Sequence, residues 1–146
     1  MSSADVDLYS ANNRFQEIVD LHESFVEKIS SSQAGRGAIF SVEVSIESIV
    51  VKVFGYEFKS YPRVVRSPQE DVVSFYMEYI FECTLEEETV EVARFYLAPG
   101  GFIVDSTETN GKIFEYNNMY VQNEIGRFVA QSSLMSALFK PASSNA

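Results

Sequence analysis

The sequence predicts an α+β fold. It reads as a two-layer domain with an antiparallel meander sheet of about six strands, the first of them bent or bulged, and an N-terminal and a C-terminal helix packed on one face. Three observations carry this expectation. Apolar residues recur at helical spacing near both ends, the period changes to two between them, and turn-forming residues punctuate that central region.

The first helix is expected over residues 10–31. Phe15, Ile18, Val19, His22, Phe25, Val26 and Ile29 recur at spacings of three and four, forming one stripe along a helical surface. Ser10 is placed to cap its start, and the "SSSQAGRG" run at 30–37 ends it with turn-prone residues. A single amphipathic helix is marginal in isolation, so this stripe must be covered by other parts of the fold.

From Ala38 the chain alternates. Ala38, Phe40, Val42, Val44 and Ile46 take one parity, while Ile39, Ser41, Glu43, Ser45 and Glu47 take the other, giving a strand with one apolar and one mainly polar face. At Ser48 the apolar phase slips to odd positions, with Ile49, Val51 and Val53. A turn at Glu47-Ser48 lacks the Gly or Asn that tight hairpins favour, so the slip is read as a β-bulge in one long, bent strand. Gly55 then turns the chain into "YEFKSYP", a short strand ended by Pro62, and "RVVRSPQED" reads as a loop.

The stretch "SFYMEYIFECTL" at 74–85 sorts cleanly into two faces. Phe75, Met77, Tyr79, Phe81, Cys83 and Leu85 share the face that gains from leaving water; Ser74, Tyr76, Glu78, Ile80, Glu82 and Thr84 share the other. Cys83 therefore reads as an inert buried thiol. "EEET" makes a charged turn into a strand at 89–97, whose apolar phase wavers between Val90 and Val92 on one parity and Ala93, Phe95 and Leu97 on the other. A second bulge, or burial on both faces, accounts for that. "APGG" reads as a tight turn, 102–107 as a strand, and Asn110-Gly111 as a type I′ hairpin turn into a strand at 112–116.

The closing helix is read from "YNNMYVQNEIGRFVAQSSLMSALFKP". Asn117 or Asn118 is placed to cap it, and Val121, Ile125, Phe128, Ser132, Met135 and Phe139 run down one side before Pro141 stops it. Gly126, costly in mid-helix, marks a close contact where this helix crosses the sheet. The domain is thus expected at 10–140, with tails at 1–9 and 141–146.

Composition narrows the function. With 146 residues, 46% of them apolar, the chain is long enough for one real core. A net charge of −10 argues against a nucleic-acid groove, which must offset phosphate charge. One cysteine excludes an internal disulfide, and one histidine excludes a His-rich zinc site. No apolar run approaches the ~20 residues of a membrane helix, and the acidic start lacks the apolar core of a signal peptide. A reducing cytoplasm is the expected compartment.

Nucleophile-elbow, phosphate-loop, dinucleotide and metalloprotease motifs are absent from the sequence. The nearest calcium-like match, 106–117, has Ser106 at the first ligand position and Asn117 at the last, where a glutamate is needed. His22 reads as a packed histidine, and no cofactor, metal or catalytic residue is assigned. What remains is the polar sheet face. Glu43, Glu47, Glu78 and Glu82, with Tyr76 and Ile80 among them, form an acidic patch carrying apolar anchors. This points to a non-enzymatic interaction module binding a protein partner, basic by complementarity, with homodimerisation as a further possibility and nucleic acid and membrane excluded. The alternative is an apolar-ligand binder, with a cavity between a curved sheet and the C-terminal helix lined by Phe75, Tyr79, Phe81, Phe95 and Phe128.

Overall fold

A computed structural model describes residues 7–32, 38–67, 73–107 and 111–142. The expected runs at 33–37 and 68–72, the residue Asn110, and most of both tails lie outside them.

The first helix, α1 (Leu8–Ser31), begins earlier than Ser10 because Asp7 supplies the cap. The Asp7 carboxylate accepts from the Tyr9 and Ser10 amides at 3.0 and 3.3 Å and from the Ser10 hydroxyl at 2.8 Å. Those bonds, that from the Ser10 hydroxyl first, hold its pKa below the ordinary carboxylate value. Ile18, His22, Phe25, Val26 and Ile29 form the buried side of α1, while Phe15 reaches only the edge of the Phe75 ring.

The sheet is antiparallel throughout and contains β1 (Ser41–Val44), β2 (Ile49–Val53), β3 (Tyr56–Ser60), β4 (Arg63–Arg66), β5 (Phe75–Leu85), β6 (Glu88–Leu97), β7 (Phe102–Val104) and β8 (Lys112–Glu115). The expected bulge at Ser48 is corrected: the chain reverses there, and β1 pairs with β2 from Ser41 opposite Lys52 to Val44 opposite Ile49. The Ser45 amide donates to the Ser48 carbonyl, and the Ser45 hydroxyl accepts from the Glu47 and Ser48 amides at 3.3 and 3.2 Å. A serine side chain thus does locally what Gly or Asn does in other tight turns. A two-residue reversal pairs odd with even positions, so the phase slip is the mark of the hairpin itself.

The next turn has the conformation that its glycine suggests, with Phe54 and Gly55 both at positive φ, 55° and 80°. The "RVVR" loop is also corrected. It is strand β4, because Val64 packs into the main core while Val65 packs on the opposite side of the sheet. With both faces apolar, no alternation was available to betray it. Lys59 lies opposite Glu82, and four residues later Arg63 lies opposite Glu78, so β3 and β4 share one register along β5. They form one strand interrupted at Tyr61-Pro62, where proline removes a ladder donor.

The wavering phase of β6 is a bulge. Phe81 pairs with Ala93 but Glu82 with Glu91, leaving Val92 as the extra residue and both Val92 and Ala93 buried. The Asn110-Gly111 hairpin differs from expectation. Val104 pairs with Lys112 and the Asp105 amide bonds the Gly111 carbonyl, so the connection is longer than a two-residue turn.

Both helices cover one sheet face. α2 (Val121–Leu134) is shorter than expected and buries Val121, Ile125, Gly126, Val129, Ala130 and Ser133. Asn118 accepts from the Tyr120 amide at 2.8 Å but does not cap the helix, whose N-cap is Tyr120. The helix unwinds after Leu134, where Met135 and Ser136 bond back only three residues and the Ser136 hydroxyl takes the Ser133 carbonyl. Met135 is consequently exposed, and Phe139 leaves the helix surface to meet the Phe54 and Tyr56 rings. A Cβ on Gly126 would fall inside the Phe40 ring, the close contact its position implied. The helices are tied where Gln122 Nε2 donates to the Ile29 and Ser32 carbonyls at 2.8 and 3.2 Å.

Candidate functional site

The two predicted sites lie on opposite sides of β5, and the core side is filled. Phe95 is the hub: its ring meets Tyr79 at 5.1 Å, Phe81 at 5.5 Å, Phe128 at 5.8 Å and Phe114 at 6.0 Å, and Phe25 from α1 closes on Tyr79 at 5.5 Å. Tyr79, Phe81 and Phe95 are fully buried. Phe75 alone of the predicted cavity set borders a described hollow, of ≈ 130 Å³, shared with Arg14, Glu17, Ile18, Leu21, Ser74 and Pro99. Interlocking rings occupy the space that the ligand reading assigned to a cavity.

His22 sits in this core as expected, with both ring nitrogens engaged. Nε2 lies 2.8 Å from the Ile46 carbonyl, which can only accept, so Nε2 carries the hydrogen. Nδ1 then accepts from the Tyr79 hydroxyl at 2.8 Å. Burial raises the Tyr79 pKa well above its ordinary value, keeping the phenol as that donor. The arrangement is structural: it pins the β1–β2 turn to the centre of the molecule. Cys83 is buried as expected, and burial pushes its thiol pKa up.

On the outer face, strand register sets the rows. Glu43, Val50, Lys59, Glu82 and Glu91 run side by side across β1, β2, β3, β5 and β6. In the adjoining row Ile80 faces Arg94, and the shared register of β3 and β4 brings Tyr61 beside Ile80. Further along, Glu78 lies between Arg63 and Tyr96.

Two members of the predicted patch do not belong to an open surface. Glu78 is only 6% exposed, with Arg63 Nη2 donating to it at 2.8 Å and Arg94 Nη1 in ion-pair contact at 3.6 Å. A carboxylate at that depth is retained because cations compensate it. Tyr76, 8% exposed, anchors a small second core with Ala98 and Val104, flanked by Val65, Tyr96 and Phe102. The assignment of Glu78 and Tyr76 to an open acidic face is therefore corrected. β4, unrecognised in sequence, makes β5 an internal strand there and brings Arg63 onto Glu78.

The remaining members stay open. Glu43 and Glu47 are exposed, while Ile80 and Glu82 are half-buried. Lys52 bridges Glu43 and Glu57 at 3.2 and 3.4 Å, and these carboxylates, Glu43 first, raise its pKa. Glu91 is claimed by a two-pronged Arg94 contact, at 2.6 and 3.2 Å, which raises the arginine pKa together with the Tyr96 hydroxyl. Glu47 and Glu82 have no ion-pair partner among the described residues. Sequence reasoning missed Glu57 and Tyr61. Both share the outward parity of "YEFKSYP", and Tyr61, 66% exposed, gains its position from the break at Pro62.

Among the described residues no group of His, Cys, Asp and Glu could hold a metal ion, and no helix is long and apolar enough to cross a membrane. No family model, curated protein or solved structure matches the chain.

Proposed function

We propose that the protein is an interaction module that binds a basic protein partner through the open half of its outer sheet face. The contact surface comprises Glu43, Glu47, Ile80 and Glu82, joined by Glu57 and Tyr61. One observation carries the reading. Glu82 is half-buried directly opposite Glu91, whose charge Arg94 already takes, and Lys59 across the other strand closes no ion pair with it. Like charges set opposite each other on a sheet cost stability, and a cation from outside would relieve this pair. Tyr61 and Ile80 supply the apolar contact beside it, the kind of anchor around which binding energy concentrates.

Four carboxylates on this area, Glu43, Glu47, Glu57 and Glu82, face two lysines, Lys52 and Lys59, and the overall charge of −10 steers a basic partner towards it. The apolar-ligand reading would require Tyr79, Phe81 and Phe95 to withdraw from one another, and no observation favours that.

The test is the double variant Glu43→Lys/Glu82→Lys. Neither residue carries the core, so the melting temperature should stay within about 2 °C of wild type, as surface changes usually leave stability within ±0.5 kcal/mol. Capture of partners from extracts of the native host should be lost. Capture that persists after both reversals would count against this face.

A further inference from the structure

The first helix is longer than the surface beneath it. None of the described residues up to Glu17 is buried, and burial on α1 begins at Ile18. Where the helix parts from the strands, a hollow of ≈ 130 Å³ opens between α1, the start of β5 and the turn after β6. It lies on the helix side of the sheet, towards the opposite end of β5 from Glu82.

The inside of this hollow is apolar. Ile18 is fully buried, Leu21 and Phe75 pack half-buried against the same core, and Pro99 joins them from the turn. An edge contact with Phe15, at 5.8 Å between centroids, braces the Phe75 ring. A cavity of about 150 Å³ with such a lining takes one benzene ring. The hollow therefore has room for a single phenyl or branched aliphatic side chain.

Its mouth carries one charge of each sign. Arg14 and Glu17 both border it, three residues apart on α1 and so neighbours on the helix surface. Such a pair can close on itself, yet neither residue forms an ion pair with the other or with any other described residue. Arg14 Nη1 instead donates to the Val73 carbonyl at 2.8 Å. That bond anchors the guanidinium beside β5 and leaves its remaining N–H groups for a second acceptor.

We propose that this hollow binds a free α-amino acid with a phenyl or branched aliphatic side chain. The side chain enters the hollow, the carboxylate meets Arg14 and the ammonium meets Glu17. An internal peptide residue would bring neither charge to the mouth and a chain terminus only one, whereas an α-amino acid carries both on one carbon. Its net charge is zero, so the charge of −10 on the chain does not repel it. An apolar lining with a few placed polar groups is the usual construction of a small-molecule site, and charged contacts at its rim fix the orientation of the ligand. The inference is independent of the acidic sheet face.

The test titrates the full chain with L-phenylalanine and L-leucine and follows the methyl resonances of Ile18 and Leu21. These should shift saturably. N-acetyl-L-phenylalanine lacks the ammonium and L-phenylalaninamide lacks the carboxylate, so each should bind about tenfold more weakly or worse. Arg14→Gln and Glu17→Gln should both weaken L-phenylalanine. Glu17→Gln should leave the Kd of the N-acetyl compound unchanged, and Arg14→Gln that of the amide. Absence of saturable shifts at Ile18 and Leu21 overturns the proposal. So does toluene binding as well as L-phenylalanine with neither substitution mattering, which marks an apolar hollow alone. A Kd that follows Arg14 but not Glu17 overturns it too, since that marks a site for any carboxylate.

Discussion

Tyr79→Phe removes one oxygen atom from the centre of the protein and leaves the ring contacts with Phe25 and Phe95 in place. What is lost is the hydroxyl that donates to His22 Nδ1 at 2.8 Å. His22 is buried, so the abandoned nitrogen cannot turn to water, and an unsatisfied buried acceptor costs about 1–3 kcal/mol. In a domain of this size each kcal/mol lowers Tm by roughly 2–4 °C. His22→Ala should cost more, about 2–5 kcal/mol, because it opens a cavity and strands both the Tyr79 hydroxyl and the Ile46 carbonyl. The two changes share one bond, so the double variant should fall short of the sum by at least about 0.5 kcal/mol. Urea denaturation of the four proteins gives these values, and amide exchange at residues 45–48 reports whether the β1–β2 turn loosens when His22 is lost. A Tyr79→Phe variant as stable as wild type, or strict additivity, would refute the reading of this network as the tie between turn and core.

Three further outcomes follow from the packing. Tyr79 has its pKa raised by burial, so the folded chain keeps that proton where the unfolded chain, with its pKa near 10, releases it. Stability should be fully present below about pH 10 and fall as pH rises beyond it, and urea midpoints taken at stepped alkaline pH should show a shallower fall in Tyr79→Phe. Gly126→Ala should destabilise: the helix-propensity gain of about 1 kcal/mol is outweighed by about 1–3 kcal/mol of overpacking against Phe40. Adding Phe40→Ala should remove the Gly126→Ala penalty, measured as the change in urea midpoint on that background. Ser60→Ala should raise stability by about 1 kcal/mol, because the Ser60 hydroxyl is buried on the core face with no hydrogen-bond partner among the described residues; a loss of stability would mean that the oxygen is satisfied.

The candidate surface was half legible. Glu43, Glu47, Ile80 and Glu82 were assigned to the outer face by alternation alone; register puts Glu43, Ile80 and Glu82 in its rows, whereas Glu47 falls in the exposed turn between β1 and β2. Tyr76 and Glu78 obey the same alternation, yet they are withdrawn from solvent, because facing outward and being open to water are different properties. The first depends on the pleat of one strand. The second depends on which neighbours stand beside it, here Arg63 on β4 and Arg94 on β6, far apart in sequence.

The same division runs through the fold. The buried stripe of α1, the inward set of β5 from Phe75 to Cys83, the bulge in β6 and the contact at Gly126 were open to inference from the sequence alone, because burial imposes a period on the residues that experience it. The reversal at Ser45, the strand nature of "RVVR" and the early end of α2 were settled only by tertiary structure. In each, the local signal was weak or shared by two conformations. A hydroxyl bonding its own turn, a valine pair packed on both sides of the sheet and serines competing for helix carbonyls acquire meaning only once partners distant in the chain are in place.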